Sequence, residues 1–128
     1  MNPEMKTYTG LNTGAGPQEV TVTLVKVVPG DKTRAQMKTY KLSHKPSLAL
    51  WNHSPVGFQW GYGGSGPAQL ALAILLDFTN AQELSVRLHQ KFKAAFITRS
   101  GKKLLVTEPE MKYWISMVEQ GAKEGDVK

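Results

Sequence analysis

Trp60-Gly61-Tyr62-Gly63-Gly64-Ser65-Gly66-Pro67-Ala68-Gln69-Leu70-Ala71-Leu72-Ala73-Ile74-Leu75-Leu76-Asp77 is a glycine run that opens into an apolar helix. Four of the six residues from Gly61 to Gly66 are glycine. Such a backbone can take positive φ and lets another group approach closely. Pro67 suits the first helical position, where its missing N–H costs nothing, and Ser65 or Gly66 stands where an N-cap is expected. From Pro67 to about Phe78, Ala, Leu and Ile occupy nearly every side. That composition predicts a helix buried all round, too short to span a bilayer and therefore the core of a folded domain.

The start of such a helix carries free N–H groups and a partial positive charge, which suits a phosphate. The candidate ligand-binding residues are Trp60, Gly61, Tyr62, Gly63, Gly64, Ser65 and Gly66, with Tyr62 placed to stack on a base and Trp60 to form a wall. His53 lies just upstream. The structural alternative is that the glycines only make a tight corner between extended chain and helix. Three motif templates fit in part. Gly61-x-Gly63-x-x-Gly66 matches the dinucleotide fingerprint but lacks its βα surroundings and its downstream acid. Gly61-x-x-x-x-Gly66 is half a P-loop, with Pro67-Ala68 where Lys and Ser or Thr belong. Gly63-Gly64-Ser65-Gly66-Pro67 is one glycine short of a nucleophile elbow.

The 128 residues suit one domain, with residues 1–5 and 120–128 expected to be flexible. The apolar fraction of 41% is enough for a single core. A net charge of +6 favours acidic partners such as nucleic acid, nucleotides or an acidic protein. The chain has no cysteine, which excludes disulfides, thiol catalysis and thiolate zinc sites and agrees with a cytoplasmic setting. No signal peptide or membrane span is expected.

Val20–Val28 is β-branched except at Leu24 and Lys26, with Val20, Val22 and Leu24 alternating with Thr21 and Thr23. Pro29-Gly30-Asp31-Lys32 reads as a turn into a partner strand at Ala35–Leu42. Thr7–Leu11 and Ser47–Trp51 read as further short strands, and Leu104–Val106 as a short strand or an extended link. Thr79-Asn80 breaks the pattern and is placed to cap a second helix, on which Leu84, Leu88, Phe92 and Phe96 form one apolar stripe. Thr107-Glu108-Pro109-Glu110 is a capping box that starts a third helix, with Met111, Trp114, Ile115 and Val118 on its apolar face. Gln120–Lys128 reads as a loose tail. The candidate basic surface is Arg87 and Lys91 on the second helix and Arg99, Lys102 and Lys103 in the loop that follows. A solvated face is the structural reading of the helical pair.

His44, His53 and His89 do not have metal-site spacing, and no carboxylate pair argues for glycoside or metal chemistry. No metal or cofactor is therefore expected, and no catalytic set emerges. Asp77 ends the core helix, where its charge opposes the helix dipole, so it needs a partner.

The run from Asn52-His53-Ser54-Pro55 through Gly57-Phe58-Gln59-Trp60 to Asp77 resembles a family of small phage and bacterial proteins, domain of unknown function 6166. The likeness continues more loosely through Arg87-Leu88-His89-Gln90-Lys91-Phe92-Lys93 to Thr107. It implies an acid where this chain has Gln59 and an aromatic where it has His89. It also implies a phage-type protein acting in the host cytoplasm, and it carries no assigned activity.

The predicted fold is α+β, a small antiparallel sheet from the N-terminal half packed against three helices from the C-terminal half. Two functional classes follow. One is a non-enzymatic binding protein that holds a phosphorylated small molecule at the glycine turn, such as a nucleotide signal sequestered from host defence. The other is a basic protein, in one or more copies, that binds nucleic acid or an acidic host protein and uses the turn only as a corner. An enzyme using His53 and Ser65 ranks behind both.

Overall fold

In a computed structural model, residues 4–27, 30 and 34–127 are described. The core is helix α2 (Ser65–Thr79). Leu70, Leu72, Ile74 and Leu75 point to different sides of it and all are fully buried. Burying a large aliphatic side chain stabilises by about 1.5–3 kcal/mol, so a helix apolar on every side has to be enclosed by other elements.

One enclosing layer is a four-stranded antiparallel sheet of β1 (Glu4–Leu11), β2 (Thr21–Val27), β3 (Ala35–Lys41) and β4 (Lys103–Thr107). Its order is β3-β2-β1-β4. Tyr8 lies opposite Val22 and Val106, and Val22 opposite Tyr40. This row faces α2, and Tyr8, Val22 and Val106 are buried in the same core cluster as the helix. The rest of the enclosure comes from α1 (Lys45–Leu50), α3 (Gln82–Phe92) and α4 (Glu108–Val127). Leu88, Phe92 and Met111 are buried there, and Leu84, Phe96, Trp114, Ile115 and Val118 pack against the same cluster. The two predicted apolar stripes are therefore the inner faces of α3 and α4. No helix among the described residues is long and apolar enough to cross a membrane.

The α+β architecture is the expected one, with four corrections. Ser47–Trp51 is not a strand: Lys45–Leu50 forms α1, with Pro46 in its first turn, where a proline is tolerated. The helix starting at Glu108 does not stop at Glu119 but runs to Val127, so 120–127 is helix and not an irregular tail. The N-cap of α2 is Gly64, with Pro67 third in the helix. Proline is accommodated there because none of the first-turn amides has an intrahelical acceptor. The N-cap of α3 is Ala81, without a side-chain bond. Asn80 instead ends α2 in the left-handed conformation, with φ 53°, and the Thr79 hydroxyl accepts from the Ala81 amide. The predicted turn at 29–32 lies outside the described residues apart from Gly30. At the start of α4, the Glu110 carboxylate accepts from both the amide (3.2 Å) and the hydroxyl (2.7 Å) of Thr107.

Asp77 finds its partners in the sheet. Its Oδ1 accepts from the Tyr8 phenol and from Lys6 Nζ (3.2 Å), and its Oδ2 accepts from the Tyr40 phenol (2.7 Å). Lys6 Nζ also donates to the Asp77 carbonyl (3.1 Å), which answers the negative end of the helix dipole. Burial pushes both phenols well above their ordinary pKa, and the Asp77 carboxylate pushes them further. Two strands are thus fastened to the end of α2. Tyr8→Phe removes one of these donors from a half-buried carboxylate and is expected to cost about 1–3 kcal/mol, read as a lower midpoint in urea unfolding with an unchanged circular dichroism spectrum.

Candidate functional site

The glycine turn sits where three segments meet. Gly61 has φ +92°, a conformation that favours glycine. Its amide donates to the Ile97 carbonyl at 3.0 Å, and a Cβ there would lie 3.2 Å from the Ser100 carbonyl oxygen. Ile97 closes a π-helical turn, Lys93–Ile97, that continues α3. This turn directs the loop 98–102 onto the glycines. The Trp60 ring is buried and its Nε1 donates to the Gly101 carbonyl at 2.9 Å. A Cβ at Gly10 would lie 2.7 Å from that ring, so glycine on β1 is what admits the indole. Trp60 is thus a core residue as well as part of the floor.

Two more glycines are explained by packing. A Cβ on Gly64 would come 2.6 Å from the Tyr62 ring, and one on Gly66 would come 2.7 Å from Gln59 Cβ. The corner reading accounts for these contacts. It does not account for the amides. No side chain caps α2, and its first intrahelical bond runs from the Ala68 amide to the Gly64 carbonyl. Among the described residues, the Ser65 and Gly66 amides have no acceptor.

Both residues line a hollow of about 710 Å³, together with Asn12, Ser54, Gln59 and Tyr62. A second hollow of about 510 Å³ shares Asn12, Gly14 and Trp60 with it and adds Gly61, Ser100 and Lys102. Among the described residues, no carboxylate lines either hollow. The loop 12–17 forms their outer rim and is braced by two glutamines. Gln18 accepts from the Thr13 amide (2.7 Å) and hydroxyl (3.0 Å) and donates to the Gly14 and Gly16 carbonyls (3.2 Å each). Gln59 donates to the same two carbonyls and accepts from Asn12 Nδ2 (3.2 Å).

The predicted residues therefore separate into groups. Trp60 to Gly66 and Lys102 come together. A Cβ on Gly63 would lie 3.8 Å from the Thr98 hydroxyl oxygen in the same basic loop, and Arg99 in that loop is exposed. Lys103 lies on β4 opposite Leu11. Arg87 is paired with Glu119 at 2.8 Å, and Lys91 is exposed on α3.

His53 does not join the turn. It lies in a second cluster that the sequence reading missed, whose signal was only that His53 and His89 both flank apolar segments. The two Nε2 atoms are 2.9 Å apart. His89 Nδ1 lies 2.6 Å from the Val86 carbonyl oxygen and must donate to it. Neutral His89 therefore keeps a lone pair on Nε2, and His53 donates to that lone pair. Trp51 stacks on the His53 ring at 4.8 Å and 16°. The backbone beneath is held by buried Gln69, whose carbonyl accepts from the amides of His53 (2.7 Å) and Ser54 (3.0 Å). The Gln69 amide donates to Ser47 Oγ at 2.8 Å. No group of three or more potential ligands forms a metal site among the described residues.

Burial lowers the pKa of His53, and His89 and Lys93 lower it further. Burial also lowers that of His89, against an opposing effect of its bond to Val86, with Lys93 adding to the lowering. The folded state thus refuses protons that the unfolded chain accepts near its ordinary value of about 6.5. Stability is full above that pH and falls as pH drops from there towards the lowered folded values. Urea unfolding across about pH 5–8 should show this loss on the acid side, and His89→Gln should flatten the slope.

A family model described as a family of unknown function (DUF6166) matches residues 30–117. No curated protein and no solved structure matches the chain.

Proposed function

The chain belongs to the family of unknown function DUF6166, and we propose from its own residues that it is a binding protein for a phosphorylated small ligand. What supports this reading is one juxtaposition. Ser65 and Gly66, whose amides have no acceptor among the described residues, line one hollow, and Lys102 lines a second that shares Asn12, Gly14 and Trp60 with it; no carboxylate among the described residues lines either. Main-chain donors at a helix start and a nearby ammonium are complementary to phosphate oxygens. Tyr62, half exposed at the rim, supplies a face on which a base can stack. A nucleotide meets both requirements. In a phage-type setting, the role would be to hold a nucleotide signal away from host defence.

A thermal-shift screen against mono-, di- and cyclic nucleotides tests the proposal. Ligand at 100 times its Kd stabilises by about 2.7 kcal/mol, a shift of several degrees. Lys102→Glu and Tyr62→Ala should each abolish the shift while leaving the unliganded melting temperature nearly unchanged, because both side chains are solvent-facing. If no nucleotide shifts the wild type, the proposal fails. DNA binding that weakens steeply with salt and is lost on charge reversal at Lys102 and Lys103 would instead identify a basic interaction protein with a purely structural turn.

A further inference from the structure

The core-facing rows of the sheet account for half of its side chains, and the register assigns the other half to the opposite face. Thr39, Thr23, Thr7 and Thr107 lie opposite one another across all four strands. On one side of this threonine row run Met37, Val25 and Met5, and on the other Lys41, Thr21, Thr9 and Leu105. Leu11 and Lys103 close the end. The helices pack on the other face, with Tyr8, Val22, Leu104 and Val106. Met5, Leu11, Val25, Met37 and Leu105 are all exposed, Met37 to 72%. A face with this many exposed apolar side chains marks an interaction site.

We propose that this outer face is the interface of a symmetric dimer, with a second copy of the chain packing sheet against sheet. Charge selects the occupant. The only charged strand residues in these rows are Lys41 and Lys103, both towards one end, and Lys41 is already paired with Glu19 at 2.9 Å. A strongly acidic partner would find almost nothing to pair with over the threonine and methionine rows. Over those rows a second copy brings only Lys41, which Glu19 already pairs, and Lys103 stays at the end of the face beside Leu11. A two-fold axis lying in the interface along the threonine row sets that row against itself. It also brings the Met37-Val25-Met5 row over the opposite flank of the partner. Aligned packing of two antiparallel sheets is an established way to bury such faces.

Size permits it. With strands about 4.8 Å apart and about 3.3 Å per residue, the face covers roughly 400–500 Å² before side-chain relief. Two copies therefore bury about 1,000 Å² or somewhat more, at the threshold for a specific complex. The dimer should dissociate on dilution.

Sedimentation velocity across a concentration series tests this, with Val25→Glu, Met37→Glu and Thr23→Arg as variants. These positions face solvent in a single copy, so each variant should keep its circular dichroism spectrum and melt cooperatively. The expected result is a wild-type dimer at high micromolar concentration and monomeric variants. Thr23→Arg serves as the check if a glutamate disturbs its strand. A wild type that stays monomeric throughout overturns the proposal. So does a dimer that survives all three substitutions, or a monomer that gains mass only when DNA or another protein is added.

Discussion

A helix without a polar side governs this molecule. α2 presents apolar surface in every direction, so the chain must enclose it completely. The sheet takes one side, α3 and the π-helical turn another, and α1 and α4 fill the remainder. β1, β2, β4, α3 and α4 each contribute buried apolar side chains to the cluster around that cylinder, and β3 adds Tyr40 at its edge. Tyr8, Val20 and Val22 come from the start of the chain, Leu104, Val106 and Met111 from near its end. The N- and C-terminal halves therefore share one core, joined in the sheet by the pairing of β1 with the edge strand β4.

Complete burial creates a second requirement, since the polar groups at both ends of α2 must be satisfied where they are. Gln69 near the start and Asp77 near the end do this with opposite partners. Gln69 binds backbone amides of the connector and the Ser47 hydroxyl, so it fixes a loop. Asp77 takes two phenols and an ammonium from strands, so it fixes the sheet. No described buried side-chain nitrogen or oxygen lacks a partner. Among the described residues, the first-turn amides of Ser65 and Gly66 escape this pairing, in residues that line the hollow shared with Asn12 and Tyr62.

The sequence made the skeleton readable because its periods are clean. The run Leu70–Leu76 has no polar face, Val20–Leu24 alternates, and the stripes on α3 and α4 repeat every three to four residues. Short-range chemistry also located the basic loop and the capping box. What could not be read depends on contacts between distant residues. Ser47–Trp51 is too short for its period to distinguish strand from helix, and only Pro46 hinted at a first turn. Trp60 read as a pocket wall because nothing local announces the gap at Gly10 that accepts its ring. His53 was assigned to the glycine turn by nearness in sequence, whereas its partner, His89, lies 36 residues away. Gln18 and Gln59 carry no local signal in the sequence, yet their hydrogen bonds brace the rim. Gln59 and His89, where the family resemblance implied an acid and an aromatic, both have structural partners in this chain.

The wide turn Lys93–Ile97 has a consequence of its own. In a π-helical turn the Thr98 amide reaches back five residues, to the Lys93 carbonyl at 2.9 Å, so the segment holds one residue more than an α-helical path needs. Each residue of an α-helix advances the chain by about 100° around its axis. Removing a single alanine from Ala94-Ala95 would put the Thr98 amide four residues after the Lys93 carbonyl, so the wide turn absorbs the deletion as a regular α-helical turn and Lys102 keeps its place near Gly61; the same deletion within α3 would turn everything downstream by about that angle. The position of that ammonium is therefore a matter of counting along the backbone: the wide turn already takes up one residue of slack, and an uncompensated indel elsewhere in α3 would alter the cleft more than most substitutions within it.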